Sequence, residues 1–418
     1  MISAPLRPRR RNRSKGEAIA TAAGPPLSST ITLVTDADAR AVVAVCRGLG
    51  AAGFRVATAS SSRTAPAHWS RFSSQRVTLP PLLDSEDAYV EALAAIVRSG
   101  PYDVLIPGSD QALRAISAHR AQLEAHVVLA LPPHEVVVRC LDKLALARSA
   151  LAAGLPSPET AVCSGVDQAR AAAEALSYPV LIKPQHVITE VGNSVERRSS
   201  VRVDGPEELA WAVPVCGDAC LVQSAVSGEV VSYSGVRAGG SMLAVAMSRY
   251  SRTWPPGAGP NSFSVSAEPP ASLTERVGRL LDEIGWEGMF QVQLIRNSDD
   301  SFSAIDFNPR PYGSLSLAIA AGANIPAVWT EWALGGSPRP VTAAPGFRYR
   351  WEDGDFRNMI WNLRRRRLRA AAGVLRPRRR VVHAYFAYDD PLPLVARMAE
   401  ALWSERARDD ARVPRAGS

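Results

Sequence analysis

Lysine is nearly missing from these 418 residues: of the 48 Lys/Arg, only Lys15, Lys143 and Lys183 are lysine. Such a skew suggests a GC-rich genome in which arginine replaces lysine wherever a generic surface cation suffices. Lysines that survive beyond the N-terminal tail then mark positions needing a slim ammonium on a flexible stem; chance survival is the competing account. No run reaches the roughly 18 uninterrupted apolar residues of a membrane span, so a soluble chain is expected. Cysteines number five, without a CxxC pair, which argues against a disulfide framework and fits a reducing cytoplasm. Cys216 and Cys220 form a CxxxC with no nearby His or Cys to complete a zinc site, and read as structural thiols. A GxGxxG turn and an internal repeat are also absent.

What is present is ordinary globular material, 46% hydrophobic and 21% charged, with room for two or three domains. The net charge of +8 sits at the ends: residues 1–15 carry six Lys/Arg and no acid, and residues 346–418 carry 17 Arg against nine Asp/Glu. The middle is therefore net acidic, and nucleic-acid binding does not follow from the overall sign. Arg9 and Arg10 imitate a twin-arginine signal, but Glu17 and a weakly apolar continuation make a poor one. Residues 1–27 read as a disordered tail.

From residue 30, strands and helices alternate: a strand at 31–34, a helix at about 39–49, a strand at 54–59, a helix at 85–99, and strands at 104–106 and 127–131. That order predicts a doubly wound parallel sheet over 28–131, Rossmann-like but without the dinucleotide turn. Pro132-Pro133 opens a second unit, 132–340. A helical run through Asp142-Lys143 closes at Gly154, and the strand 179–184 ends in Lys183, a lone charge on an apolar run. Residues 185–203 read as a loop or hairpin around Gly192-Asn193. Strands at 221–223, 230–236 and 242–247 follow, then an irregular stretch 249–260 with Arg249, Tyr250, Arg252 and Trp254, a helix at 274–284, and the antiparallel pair 289–295 and 302–307.

That last pair carries the densest chemistry. Asp306 and Asn308 are two residues apart, so both point to one face of the sheet, with Gln293 on the partner strand and Arg310 just beyond. Oxygen donors beside an arginine make a seat for Mg²⁺ and nucleotide phosphates; a polar strand end on a solvated face is the plain alternative. In order, Asp142-Lys143, Tyr178 to Pro184 around Lys183, Leu221-Val222-Gln223 with Gly228-Glu229, Val292-Gln293 and Asp306-Phe307-Asn308-Pro309-Arg310 resemble the ATP-grasp superfamily. The branch most resembled is that of carbamoyl-phosphate synthetase, biotin carboxylase and D-aspartate ligase, over about residues 30–340.

The resemblance implies an α/β chain, with a Rossmann-like domain followed by an ATP-grasp domain, binding ATP and Mg²⁺. Lys143 and Lys183 would contact the α and β phosphates. The segment holding Gln223, Ser224 and Val226 would cradle adenine, and Glu229 would accept the ribose hydroxyls. Gln293, Asp306 and Asn308 would hold metal, and Arg310 with Asn308 would face the transferred phosphate. The implied activity is a cytoplasmic, ADP-forming carboxylate–amine ligase working through an acyl phosphate on small-molecule or amino-acid substrates. The carboxylate is expected near Arg310 and the helix start at Ser314, flanked by Arg249 and Arg252. A non-catalytic ATP-binding protein and a bicarbonate or carbamoyl-phosphate enzyme are the alternatives.

Two departures stand out. The flap 185–203 has only Gly192 where the family is glycine-rich, and the metal position often filled by Glu is Asp306, with Gln293 neutral. Residues 341–418 read as a basic C-terminal extension. In it, 356–371 reads as a helix pairing Phe356, Met359, Ile360 and Leu363 with the run Arg364 to Arg367, and Arg376 and Arg378 to Arg380 add charge. A membrane-surface helix, an acidic partner or a domain-packing helix are the readings for it.

Overall fold

The computed structural model describes residues 29–401 apart from 130, 185–187, 192–193, 198–199, 218 and 258. The tail 1–27, and Gly192, Asn193 and Arg198 of the flap, lie outside the described residues.

The chain begins with β1 (Ile31–Val34), α1 (Arg40–Ala51), β2 (Arg55–Ser60), β3 (Ser73–Thr78), α2 (Glu86–Ser99), β4 (Val104–Ile106) and α3 (Asp110–Ala118). The four strands form a parallel sheet in the order β3-β2-β1-β4. β1 is buried along its whole length, the continuous apolar run of a strand covered on both faces. β3 was not foreseen because its residues alternate between half-buried and exposed at the sheet edge. The expected strand 127–131 shrinks to one parallel bridge, Val104 to Val128, with Val128 at 39% exposure. Serine caps start α2 and α3: Ser85 accepts from the Ala88 N–H and Ser109 from the Ala112 N–H.

Next come α4 (His134–Leu141) and α5 (Lys143–Ala152). The expected single helical run breaks at Asp142, whose extended backbone (ψ 111°) lets its carboxylate accept the N–H groups of Leu144 and Ala145. The Asp-Lys pair is thus a helix cap followed by the first helical residue. A small antiparallel sheet, ordered β5-β10-β6-β9, comprises β5 (Thr160–Ser164), β6 (Val180–Pro184), β9 (Val201–Val203) and β10 (Ala219–Ser224). It packs on α6 (Gly165–Leu176) and α7 (Leu209–Cys216). Between β6 and β9, the hairpin β7 (Ile188–Val191) and β8 (Ser194–Arg197) forms its own two-stranded sheet.

The large sheet is built from β11 (Glu229–Ala238), β12 (Ser241–Thr253), β13 (Asn261–Ala267), β14 (Gly288–Arg296) and β15 (Phe302–Asn308), with α8 (Ala271–Ile284) on one face. α8 buries Leu273, Val277, Leu280, Leu281 and Ile284, a helical stripe, and ends at Gly285 in the left-handed region (φ 72°). Beneath the sheet, Phe290 stacks with Tyr233 and Phe307, and Trp286 meets Phe307 edge-on.

The irregular stretch expected from Arg249 is instead strand to Thr253, kept in the ladder by two register shifts that absorb its odd residues. After α9 (Leu315–Ala320) and α10 (Ile325–Ala333) come β16 (Val341–Thr342), β17 (Arg348–Arg350), α11 (Glu352–Arg364), α12 (Leu368–Leu375) and β18 (Val381–His383). β16 pairs with β12, and β17 and β18 extend the sheet beyond β13, so these strands are part of its main layer. The single helix expected at 356–371 is two, separated at Arg366 in the left-handed region (φ 56°). Further on, the buried Asp390 carboxylate accepts from Arg47 of α1, the Ser70 hydroxyl and the Arg71 N–H.

Candidate functional site

The site lies where the first parallel sheet, the small sheet and the large sheet face one another. Its cations come from separate elements. Lys143 starts α5, and its Nζ donates to the Pro184 carbonyl at 3.3 Å. On β6, Val180 and Ile182 enter the core while Lys183 points the other way, and its Nζ donates to the Ile305 carbonyl at 3.3 Å. Burial and the neighbouring Lys143 ammonium push Lys183 down to about 8 despite Asp306. Lys143 is lowered by burial as well, opposed by Asp306. Both ammoniums are therefore under-compensated, the condition that an incoming polyanion relieves.

Opposite them, register pairs Gln293 with Asp306 and Gln291 with Asn308 across β14 and β15. All four side chains share the face foreseen from the two-residue spacing. Burial raises the affinity of Asp306 for a proton, and Lys143 and Lys183 oppose that. Arg310 donates Nε–H and Nη2–H to Asp110 at 2.9 and 2.7 Å, and Nη2–H to the Asn308 amide oxygen at 3.2 Å. Asp110 begins α3, so a residue of the first sheet's helical layer fixes the arginine just past β15.

Other candidates are placed differently. Gln223 is buried, and its amide nitrogen donates to the Thr160 hydroxyl at 2.8 Å. The Ser224 and Ala225 N–H groups donate to the Glu159 and Pro179 carbonyls, and Val226 is 38% exposed. Glu229, at the start of β11, lies 3.8 Å from Arg249 and 4.0 Å from Arg296. Arg252 is committed elsewhere: it donates to buried Asp355 at 3.0 and 2.5 Å and lies over the Phe263 ring at 4.3 Å, tying β12 to α11. Ser314 is buried and makes no side-chain cap, and α9 is only six residues long. The helix start expected to seat a carboxylate is therefore too short, and the Gly313 carbonyl is taken by Arg40 Nε–H at 3.3 Å and the Tyr349 hydroxyl at 2.7 Å.

Several residues of the site were not singled out from sequence. Gln291 shares a face with Gln293, and its buried amide nitrogen has no partner. Period two could have flagged it. Tyr250, named from sequence only as part of the stretch after Arg249, is held by burial to a raised affinity for its hydroxyl proton, which the neighbouring Ser232 and Gln291 side chains oppose. Asp36, in the left-handed region (φ 58°), accepts from the Thr35 hydroxyl at 2.5 Å and the Gly108 N–H at 3.2 Å. With Gly108 and Asp110 it borders the gap beyond the carboxyl ends of β1 and β4, where the order β3-β2-β1-β4 reverses direction. Crevices at such switch points are the usual ligand sites of open parallel sheets. Arg40, the first residue of α1, lies over the Trp351 ring at 4.0 Å.

This arrangement of two α/β units around a cleft recurs in solved structures. N5-carboxyaminoimidazole synthetase from Staphylococcus aureus, complexed with ADP, is 14% identical, covers 76% of this chain and 80% of its own, and superposes with a TM-score of 0.58. L-amino acid ligase from Bacillus licheniformis is 17% identical over 74% of this chain and 75% of its own, at 0.57. Biotin carboxylase from Campylobacter jejuni is 15% identical over 76% and 74%, also at 0.57. At these identities the likeness establishes the fold. Residues 252–354 also match the family described as "ATP-grasp in the biosynthetic pathway with Ter operon". The chain thus has the fold of the ATP-grasp enzymes, and the matched segment is similar to one ATP-grasp family.

The donor set suits Mg²⁺ in one manner. Among the described residues no group of three or more His, Cys, Asp or Glu surrounds a metal position, and Asp110 is committed to Arg310. Asp306 offers one carboxylate and Gln293 a neutral amide oxygen, and the Asn308 amide oxygen adds a second that it shares with Arg310 at 3.2 Å. That fits a hard cation held largely by water and by the phosphates of its nucleotide.

Proposed function

We propose that the protein is an ATP-dependent, ADP-forming carboxylate–amine ligase acting on small-molecule or amino-acid substrates. The observation that carries this reading is the convergence of Lys143, Lys183 and Arg310 on Asp306 at one end of the cleft. The nucleotide lies between the small and large sheets, with adenine along Gln223 to Val226 and ribose toward Glu229. Lys143 and Lys183, starved of counter-charge in the free protein, neutralise its phosphates. Asp306, Gln293 and Asn308 would hold Mg²⁺, which would supply charge neutralisation at the phosphates.

Phosphoryl transfer needs positioning and charge stabilisation more than covalent help. The substrate carboxylate oxygen attacks the γ-phosphorus, the bond to the β-phosphate oxygen breaks, and ADP departs. Arg310, held rigid by Asp110, faces the charge that develops. The amine nitrogen then attacks the acyl carbon, phosphate leaves, and the amine proton passes to solvent. The substrates occupy the mouth between Asp36, Arg40 and Tyr250, where a guanidinium and an acid can orient a carboxylate and an amine. Five buried cysteines suit a reducing compartment such as the cytoplasm. Among the described residues no helix is long and apolar enough to cross a membrane.

ADP release measured over panels of carboxylic acids and amines tests the proposal. Turnover requiring both partners is expected; ADP formation indifferent to every acid would refute it. Nucleotide binding without turnover is a second reading, favoured by one observation: Asp306 is the sole carboxylate among the proposed metal ligands.

A further inference from the structure

We propose that the helix pair α11–α12 is a docking face for an anionic lipid surface. From Phe356 to Tyr388 the chain holds ten arginines and no Asp or Glu. The ion pairs of this region use Arg252, Arg350 and Arg397, and among the described residues none of those ten arginines joins one. Just past α12, Arg378 is crowded by cation: loss of water, then Arg252, Arg376, Arg348 and Arg350, disfavour its charge. An external anion relieves such crowding.

The apolar residues follow the same spacing as the basic ones. Phe356 and Leu363 are seven residues apart on α11, as are Leu368 and Leu375 bounding α12, and a seven-residue step returns nearly to the same side of a helix. All four are exposed, at 59%, 47%, 66% and 67%. The residue after each is an arginine: Arg357, Arg364, Arg369 and Arg376. The opposite stripes are buried, Asp355, Asn358 and Asn362 on α11 and Ala371 and Val374 on α12. Each helix therefore carries an outward apolar edge beside a row of guanidinium groups. Between the helices, Arg365 and Arg367 lie over Trp361 at 4.2 and 5.2 Å.

This combination selects the occupant. A second copy of the chain would oppose like charge to like charge. An acidic polymer satisfies the arginines but leaves the large apolar side chains in water. A leaflet with anionic headgroups takes both, phosphates pairing with guanidinium groups and apolar side chains entering the acyl boundary. The contact is peripheral and independent of the ligase reading.

Co-sedimentation of the full chain with phosphatidylcholine vesicles, with and without phosphatidylglycerol, tests it. Binding is expected only to the anionic vesicles and is weakened by raising salt from about 0.1 to about 0.5 M. Replacing Arg364, Arg365, Arg366 and Arg367 by Glu lowers partitioning on the order of 100-fold or more. Leu368→Ser with Leu375→Ser keeps the charge and heparin retention but loses most vesicle binding. Unchanged thermal unfolding of both variants shows that they fold. Equal sedimentation with both vesicle types, or none with either, overturns the proposal. A Leu→Ser variant that sediments like the wild type also overturns it and makes an acidic polymer the occupant.

Discussion

Arg310, just past β15, grips Asp110, at the first position of α3, through two hydrogen bonds of 2.9 and 2.7 Å. Their side chains are 17% and 19% exposed, so the pair works in partial shelter from water. Asp110→Ala strands the guanidinium beside Asn308. The expected cost is about 2–3 kcal/mol, below the range for a fully buried pair, with kcat reduced at least about tenfold. Urea unfolding and ADP release measure the two. A double variant with Arg310→Ala should be less destabilised than the sum of the singles; strict additivity would sink the coupling.

Lys183 sets a pH dependence. Its proton affinity falls to about 8 in the folded chain, against an ordinary value of 10.5. The folded state therefore disfavours the charged form. That penalty is full below pH 8 and fades as pH rises toward 10.5. Bound phosphates act in the opposite sense by favouring the ammonium, so ATP affinity falls by up to about tenfold per pH unit above 8. Lys183→Met should bind ATP weakly and with a flatter profile between pH 7.5 and 9.5, while the nucleotide-free variant gains stability at pH 7. Calorimetric titration across pH checks the slope, and parallel profiles for the two proteins would exclude Lys183 as its source.

Gln293 pairs in register with Asp306 and leaves the proposed metal position with one carboxylate. Gln293→Glu adds a second ligand charge, and the Mg²⁺ concentration for half-maximal ADP release should fall on the order of tenfold. Asp306→Asn should abolish Mg²⁺-dependent turnover while ADP still binds through the lysines. Equal Mg²⁺ dependence in wild type and Gln293→Glu would place the metal elsewhere.

Gly108 marks the closest approach of the β1 and β4 ends. A Cβ there would stand 2.4 Å from the Thr35 carbonyl oxygen and 3.0 Å from the Asp36 Cβ. The Val42 Cγ2 would be at 2.8 Å as well, and with the Thr35 carbonyl fixed in the backbone Gly108→Ala must push the β4 end away from β1 and α1. A loss of about 1–3 kcal/mol is expected, with a raised KM for the carboxylate and little change in ATP affinity. Wild-type KM values would remove the crevice from the substrate path.

Much of the site was legible because its signals are local. Lys143 and Lys183 stand out by rarity, and strand period two puts Asp306 and Asn308 on one face. Where the sequence reading failed, competing local forces decided. Asp142 capped a helix instead of sitting within one, and register shifts kept the polar stretch after Arg249 in a strand. Three serines at 262, 264 and 266 do not look like core residues, yet all are buried in β13, because backbone pairing on both sides carries them inside.

By itself the sequence determined most of the order of elements and the shared face of Asp306 and Asn308, since each depends on spacing of a few residues, and it marked Lys143 and Lys183 by their rarity. Tertiary structure alone decided that Arg310 answers to Asp110, that Arg252 is spent on Asp355, and that β17 and β18 close the large sheet. An arginine carries the same charge and reach at each position. Which carboxylate it meets across 200 residues is settled by how the layers pack, and no local periodicity records that.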